Sequence, residues 1–154
     1  MSAKFPIDSL PAAIKLPVSF SAYLEIPAKG VQIYACGKNE KGEIAWLHNG
    51  PEAELFDIQG KPYGKHYGGP SWEAPDGGKV IGALKASTPA PDTADIPWLL
   101  LDIKSREGEG IFTQAKAILR VNTKGGIAPS SSAADAAEGS VARIPYEALY
   151  LFLK

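Results

Sequence analysis

Short segments in which apolar and polar residues alternate recur along almost the whole chain. From Val31 to Cys36 the odd positions are apolar, while Gln32 and Tyr34 point to the other side. Such alternation is typical of half-buried strands in an antiparallel sheet. The pattern predicts eight or nine short strands. The segments concerned are 18–26, 31–36, 43–48, 53–57, 79–86, 96–103, 116–122 and 142–153.

Two of these segments differ in pattern. In 116–122, Ala117, Leu119 and Val121 alternate with a second set that ends in Arg120. The run 96–103 is apolar without alternation, which predicts a strand buried on both faces.

Turn residues separate the segments and leave little room for long helices. The chain has 16 glycines and 13 prolines, and both are poor residues in helix interiors. We expect turns at 27–30, 38–42, 49–51 and 57–60. Residues 128–140, rich in Ser, Ala and Gly, are predicted to form a loop or one helical turn.

These elements predict an all-β fold: a single-domain antiparallel β-barrel or β-sandwich with long Gly/Pro-rich loops and little helix. The single domain spans 1–154, with an N-terminal extension at 1–15 and the β-domain at 16–153. Residues 64–82 concentrate glycines, prolines, aromatics and one of the two histidines. We expect this segment to lie across one end or edge of the sheet, with a hairpin turn at 76–78.

Charge and composition exclude several classes of partner. The 154 residues carry a net charge of −1 with no run of like charge, so we expect no nucleic acid as a partner. No apolar run approaches the roughly 20 residues that span a bilayer, which predicts no membrane insertion. Residues 1–10 show neither the basic nor the apolar part of a signal peptide. Cys36 is the only cysteine and cannot form an intramolecular disulfide.

A set of short motifs, in order, resembles the uncharacterised DUF3455 family over roughly residues 16 to 153. The motifs are Tyr34-Ala35-Cys36, Trp46, 57–60, Gly64-Lys65-His66, Pro70-Ser71-Trp72, 76–82, 96–100, 120–129 and Ile144-Pro145-Tyr146. The resemblance implies an exported protein, periplasmic or extracellular, although this chain shows no signal peptide. It also implies a second cysteine before an Asp-Ala-Ala element, but here Ala134 precedes Asp135. It implies no mechanism.

His66 is the strongest candidate for chemistry, because histidine titrates near neutral pH and can act as acid, base or metal ligand. Glu73 and Asp76 follow closely enough to orient its ring if the loop folds back. The alternative is that the ring bonds a backbone carbonyl and fixes the loop. His48, His66 and Asp76 together would give a two-histidine, one-carboxylate metal set, but no local histidine pair supports it. We expect no cofactor.

Aromatic side chains are the second group of candidates. Trp72, Tyr67, Tyr63 and His66 are predicted to bind a ligand, because an aromatic body with a polar tip suits small molecules and carbohydrates. The alternative is that they fill the core.

Three functions remain open from the sequence. The first is a non-enzymatic module that binds a small molecule or glycan. The second is a small hydrolase or lyase that uses His66 with Glu73 or Asp76. The third is a structural protein that self-associates, for example as a homodimer, through an exposed sheet edge.

Overall fold

Eight strands close into one antiparallel ring in the computed structural model, which describes residues 5–17, 19–129 and 138–154. Each strand pairs with the next, and β1 pairs with β8, so the ring is complete. The all-β prediction is confirmed, and the fold is a barrel rather than a sandwich. The strands are β1 Ala22–Lys38, β2 Ile44–Phe56, β3 Pro62–Tyr67, β4 Ser71–Glu73, β5 Lys79–Thr88, β6 Trp98–Glu107, β7 Ala117–Gly125 and β8 Val141–Leu153.

The first two strands run through positions where turns were predicted. β1 continues through 27–30 because β2 passes very close to it at Gly30, where an added Cβ would overlap the backbone of Glu52 and Ala53. In β2, Ile33 pairs with Gly50 and Tyr34 with His48, so Asn49 is the extra residue of a bulge. The predicted turns at 27–30 and 49–51 are therefore wrong. A glycine contact and a bulge, both of which bend strands, stand in their place.

Residues 64–82 form part of the barrel wall. They contain most of β3, all of β4 and the start of β5, so the expectation that they lie across one end or edge is wrong. The hairpin turn at 76–78 is confirmed. Asp76 Oδ1 accepts a hydrogen bond from the Gly78 amide at 2.9 Å, and Ala74 N–H donates to Gly78 O at 2.9 Å.

Pairing register shows which side chains share the barrel interior. Ile26 pairs with Tyr150, Tyr150 with Arg120, and Arg120 with Leu99. Side chains of directly paired residues lie on the same face of a sheet. The buried interior cluster contains Ile26 and Tyr150, and Leu99 packs against it, so this row of four points inward.

The opposite face of β6, β7 and β8 is covered by the N-terminal segment. Its two short 3-10 turns, Ile7–Ser9 and Ala12–Ile14, place Leu10 and Ile14 against Leu100, Leu119 and Leu151. β6 is therefore buried on both faces over Leu100 and Leu101, as its unbroken apolar run predicted.

In the described ranges, no helix is long and apolar enough to cross a membrane. The predicted loop or helical turn at 128–140, with Ala134 and Asp135, falls largely outside the described residues.

Candidate functional site

A cavity of about 400 Å³ opens at the end of the barrel that carries the turn between β3 and β4. Every strand contributes at least one lining residue, from Gln32 on β1 to Tyr150 on β8. The cavity is therefore the mouth of the barrel interior. Its wall combines apolar side chains, such as Leu99 and Leu101, with polar groups from five strands.

His66 lies in this wall with only 2% of its surface exposed, near the end of β3. Its Nδ1 is 2.8 Å from the carbonyl oxygen of Ser71, so Nδ1 carries the hydrogen and donates it. In the neutral ring Nε2 is then an acceptor, and it lies 3.1 Å from the Tyr150 hydroxyl. The Tyr146 hydroxyl follows at 3.2 Å from that of Tyr150. A chain of hydrogen bonds thus crosses the interior from β8 to β4.

Burial sets the charge state of these hydrogen-bonded side chains. Loss of hydration lowers the pKa of His66 to about 3, because the charged form is disfavoured in the interior. Burial likewise raises the pKa of Tyr150, an effect that the nearby Arg120 opposes. Burial also raises the pKa of Tyr146. At neutral pH the imidazole and both phenols are uncharged.

Arg120 brings the positive charge to the cavity. Its Nε and Nη2 hydrogens are donated to the carbonyl oxygen of Pro97, at 3.1 and 2.8 Å. Among the described residues, no carboxylate lies within ion-pair distance of it. The side chain is partly exposed and faces the cavity beside Tyr150.

Gln32 and His48 form a second polar pair on the cavity wall. His48 Nε2 is 2.6 Å from Gln32 Oε1, so the ring donates and the amide oxygen accepts. Burial lowers the pKa of His48, and Arg120 lowers it further. Gln32 is 1% exposed, and its Nε2 has no hydrogen-bond partner among the described residues.

The structure divides the four predicted ligand-binding residues. Trp72 is 1% exposed and stacks on His66, with ring centroids 4.5 Å apart, and both line the cavity. Tyr67 points to the outer face, where its hydroxyl donates to Glu73 at 2.7 Å. Tyr63 packs against Phe112 and lines a different depression, beside residues 20–26.

The predicted acid–base partners do not meet His66. Glu73 is bonded to Tyr67, and Asp76 accepts hydrogen bonds from the amides of Gly78 and Ile111. His48 and His66 both line the cavity, but Asp76 does not. The described part of the chain holds no group of three His, Cys, Asp or Glu side chains suited to a metal ion.

Sequence reasoning did not single out Arg120, Gln32 or Tyr150 as site residues. The alternation of apolar and polar residues could have pointed to these three residues, because each lies on the face of its strand that also carries interior residues. Using that signal required knowing that the barrel interior, rather than the more apolar face of β7, carries the site.

The family model described as "Protein of unknown function (DUF3455)" matches residues 17–154. No curated protein and no solved structure matches the chain.

Proposed function

Because the chain belongs to the DUF3455 family, whose description assigns no activity, we propose from the barrel itself that the protein binds a small molecule in its interior. The binding site is the cavity at the mouth, with Trp72 and His66 in its wall. Tyr67 and Tyr63 lie elsewhere and take no part.

The observation that carries this proposal is the cavity in the barrel mouth. Its volume of about 400 Å³ falls in the range typical of small-molecule sites, about 300–1,000 Å³. An eight-stranded barrel has room for one small ligand if its interior side chains leave space. A mainly apolar wall with a few converging polar groups is the usual composition of such a site.

The site favours a compact molecule over a glycan. Sugar rings stack on exposed aromatic faces, but one face of Trp72 is covered by His66, and Tyr150 meets the indole edge-on. The two nitrogens of His66 are also engaged, by Ser71 and Tyr150. We assign His66 the role of fixing the cavity wall, with Trp72 held against it.

Closing the mouth tests the proposal. Leu84 lines the cavity and is 63% exposed, so Leu84→Trp adds bulk at the opening without disturbing packed core. Ile58→Trp is the matched control, because Ile58 is 58% exposed and does not line this cavity. We expect compounds from a fragment library, screened by ligand-observed NMR, to bind the unmodified protein and Ile58→Trp but not Leu84→Trp. Equal binding to all three would place the ligand outside the barrel mouth.

A further inference from the structure

We infer that the ligand is a small organic anion whose carboxylate is held by Arg120 and whose apolar body fills the barrel mouth. The inference rests on the proposed function and adds the chemical class of the ligand. Three independent features of the cavity lead to it: its charge, its hydrogen-bond donors and its apolar wall.

The charge of the cavity is positive although the chain as a whole is nearly neutral. Of the 15 lining residues that the structure describes, none is Asp or Glu, and Arg120 is the only one charged at neutral pH, since both histidines have lowered pKa values. Arg120 is partly exposed and has no carboxylate partner among the described residues, so its guanidinium is available to an anion that enters the cavity. The single guanidinium matches a single carboxylate.

The guanidinium has donors left for a ligand. Pro97 O accepts from Nε and Nη2, and the Tyr150 hydroxyl shares a side-chain hydrogen bond with Arg120, which leaves two of the five N–H groups outside these contacts. Planar guanidinium groups bind carboxylates with two parallel hydrogen bonds. Arg120 is therefore both the charge and the geometric anchor of the site.

Two further donors lie in the same wall. The oxygen of the Gln32 amide accepts a hydrogen bond from His48, so the Nε2 hydrogens of Gln32 are the ones left for another acceptor. Gln32 Nε2 and Trp72 Nε1 are both buried and have no hydrogen-bond partner in the described ranges. Buried donors of this kind are nearly always satisfied in folded proteins, so an acceptor-rich ligand fits them. A carboxylate offers acceptors only.

The rest of the wall suits a hydrocarbon body. Leu84, Leu99 and Leu101 line the cavity beside Trp72. The three leucine side chains have no hydrogen-bonding groups, so they suit a hydrocarbon better than a hydroxyl-rich molecule. A short aliphatic or aromatic acid pairs its charged end with Arg120 and its apolar end with these side chains.

Matched probes test the inference by calorimetric titration. Benzoate and hexanoate carry the anion, benzyl alcohol and hexan-1-ol share the body without charge, and benzylamine reverses the charge. We expect the carboxylates to bind at least ten-fold more tightly than the alcohols, and benzylamine to bind most weakly. Arg120→Met should remove that preference, so that the carboxylates bind no more tightly than the matched alcohols, and Arg120→Lys should keep part of it.

Arg143→Met is the control for net charge, because Arg143 pairs with Glu52 on the surface and lies outside the cavity. It should bind carboxylates as the unmodified protein does. Carboxylates and alcohols that bind equally, or an Arg143→Met loss equal to that of Arg120→Met, would overturn the anion inference and leave the cavity as a ligand site. If no probe of any charge binds, and library fragments bind equally to the unmodified protein, Ile58→Trp and Leu84→Trp, both proposals fail.

Discussion

The hydroxyl of Tyr150 donates to Nε2 of His66 over 3.1 Å, which joins β8 to β3 across the barrel interior. These strands are not neighbours in the ring, so side chains rather than backbone make the connection. The bond also orients the wall of the cavity, because Trp72 stacks on the same imidazole.

Removing this hydroxyl should weaken the fold. Tyr150→Phe leaves His66 Nε2 as a buried acceptor without its donor, and such a loss costs about 1–3 kcal/mol. We expect a decrease of that size in the free energy of unfolding, measured by urea denaturation. Tyr67→Phe removes a hydroxyl bonded to Glu73 at the exposed surface and should cost much less. Equal losses would mean that the interior bond has no special weight.

The buried imidazole predicts a pH dependence with a definite sign. The unfolded chain protonates His66 near pH 6.5, whereas the folded protein resists protonation until about pH 3. Between these values the unfolded state binds more protons, so stability falls as pH is lowered, by up to about 1.4 kcal/mol per unit.

His66→Gln separates this effect from carboxylate titration. Urea unfolding of both proteins at pH 7.5, 6.5, 5.5 and 5 should show a steeper loss for the unmodified protein, because the variant lacks the titrating ring. Parallel curves would show that His66 takes up its proton equally in both states.

Gly30 should tolerate no side chain. A Cβ there would overlap the carbonyl oxygen of Glu52 and the Cα of Ala53, both backbone atoms that cannot rotate away. We expect Gly30→Ala to destabilise the barrel by about 1–3 kcal/mol or more in thermal and urea unfolding. Gly68→Ala is the comparison, since a Cβ at Gly68 meets no atom of the described residues within 4 Å. It should leave the melting temperature nearly unchanged, and similar melting of the two variants would refute the close approach.

The N-terminal segment should contribute to stability. Ile14 is fully buried against the outer face of β6 to β8, so Ile14→Ala should cost about 2–5 kcal/mol. Lys15→Ala, at an exposed neighbour, should be almost neutral. If Ile14→Ala also proves neutral in urea unfolding, the segment does not pack on the barrel in solution.

The strand content was predictable because period-two alternation survives in most segments. The strand boundaries were not predictable, since Gly30 and Asn49-Gly50 are residue types that are also typical of turns. Only the position of the neighbouring strand reveals that they form a close contact and a bulge. The alternation within one strand contains no information about which other strands are adjacent to it.

The site was less predictable than the fold for a related reason. In β7 the more apolar set, Leu119 and Val121, faces outward beneath the N-terminal segment, while Arg120 on the other set faces the interior. A pattern of apolar and polar residues identifies two faces but does not say which one a distant segment will cover. His66 and Trp72 were recognisable by residue type, whereas Arg120 and Gln32 resembled ordinary surface residues.

If a small organic anion binds in the barrel mouth, the indole N–H of Trp72 should report its binding, because Trp72 lines the cavity. Trp98 serves as an internal control, because it lies on the outer face against Phe5. Titration of ¹⁵N-labelled protein with benzoate should shift the Trp72 indole resonance progressively to saturation and leave that of Trp98 in place. A Trp72 resonance that does not move, or a saturable shift at Trp98 alone, would contradict binding of the anion in the barrel mouth.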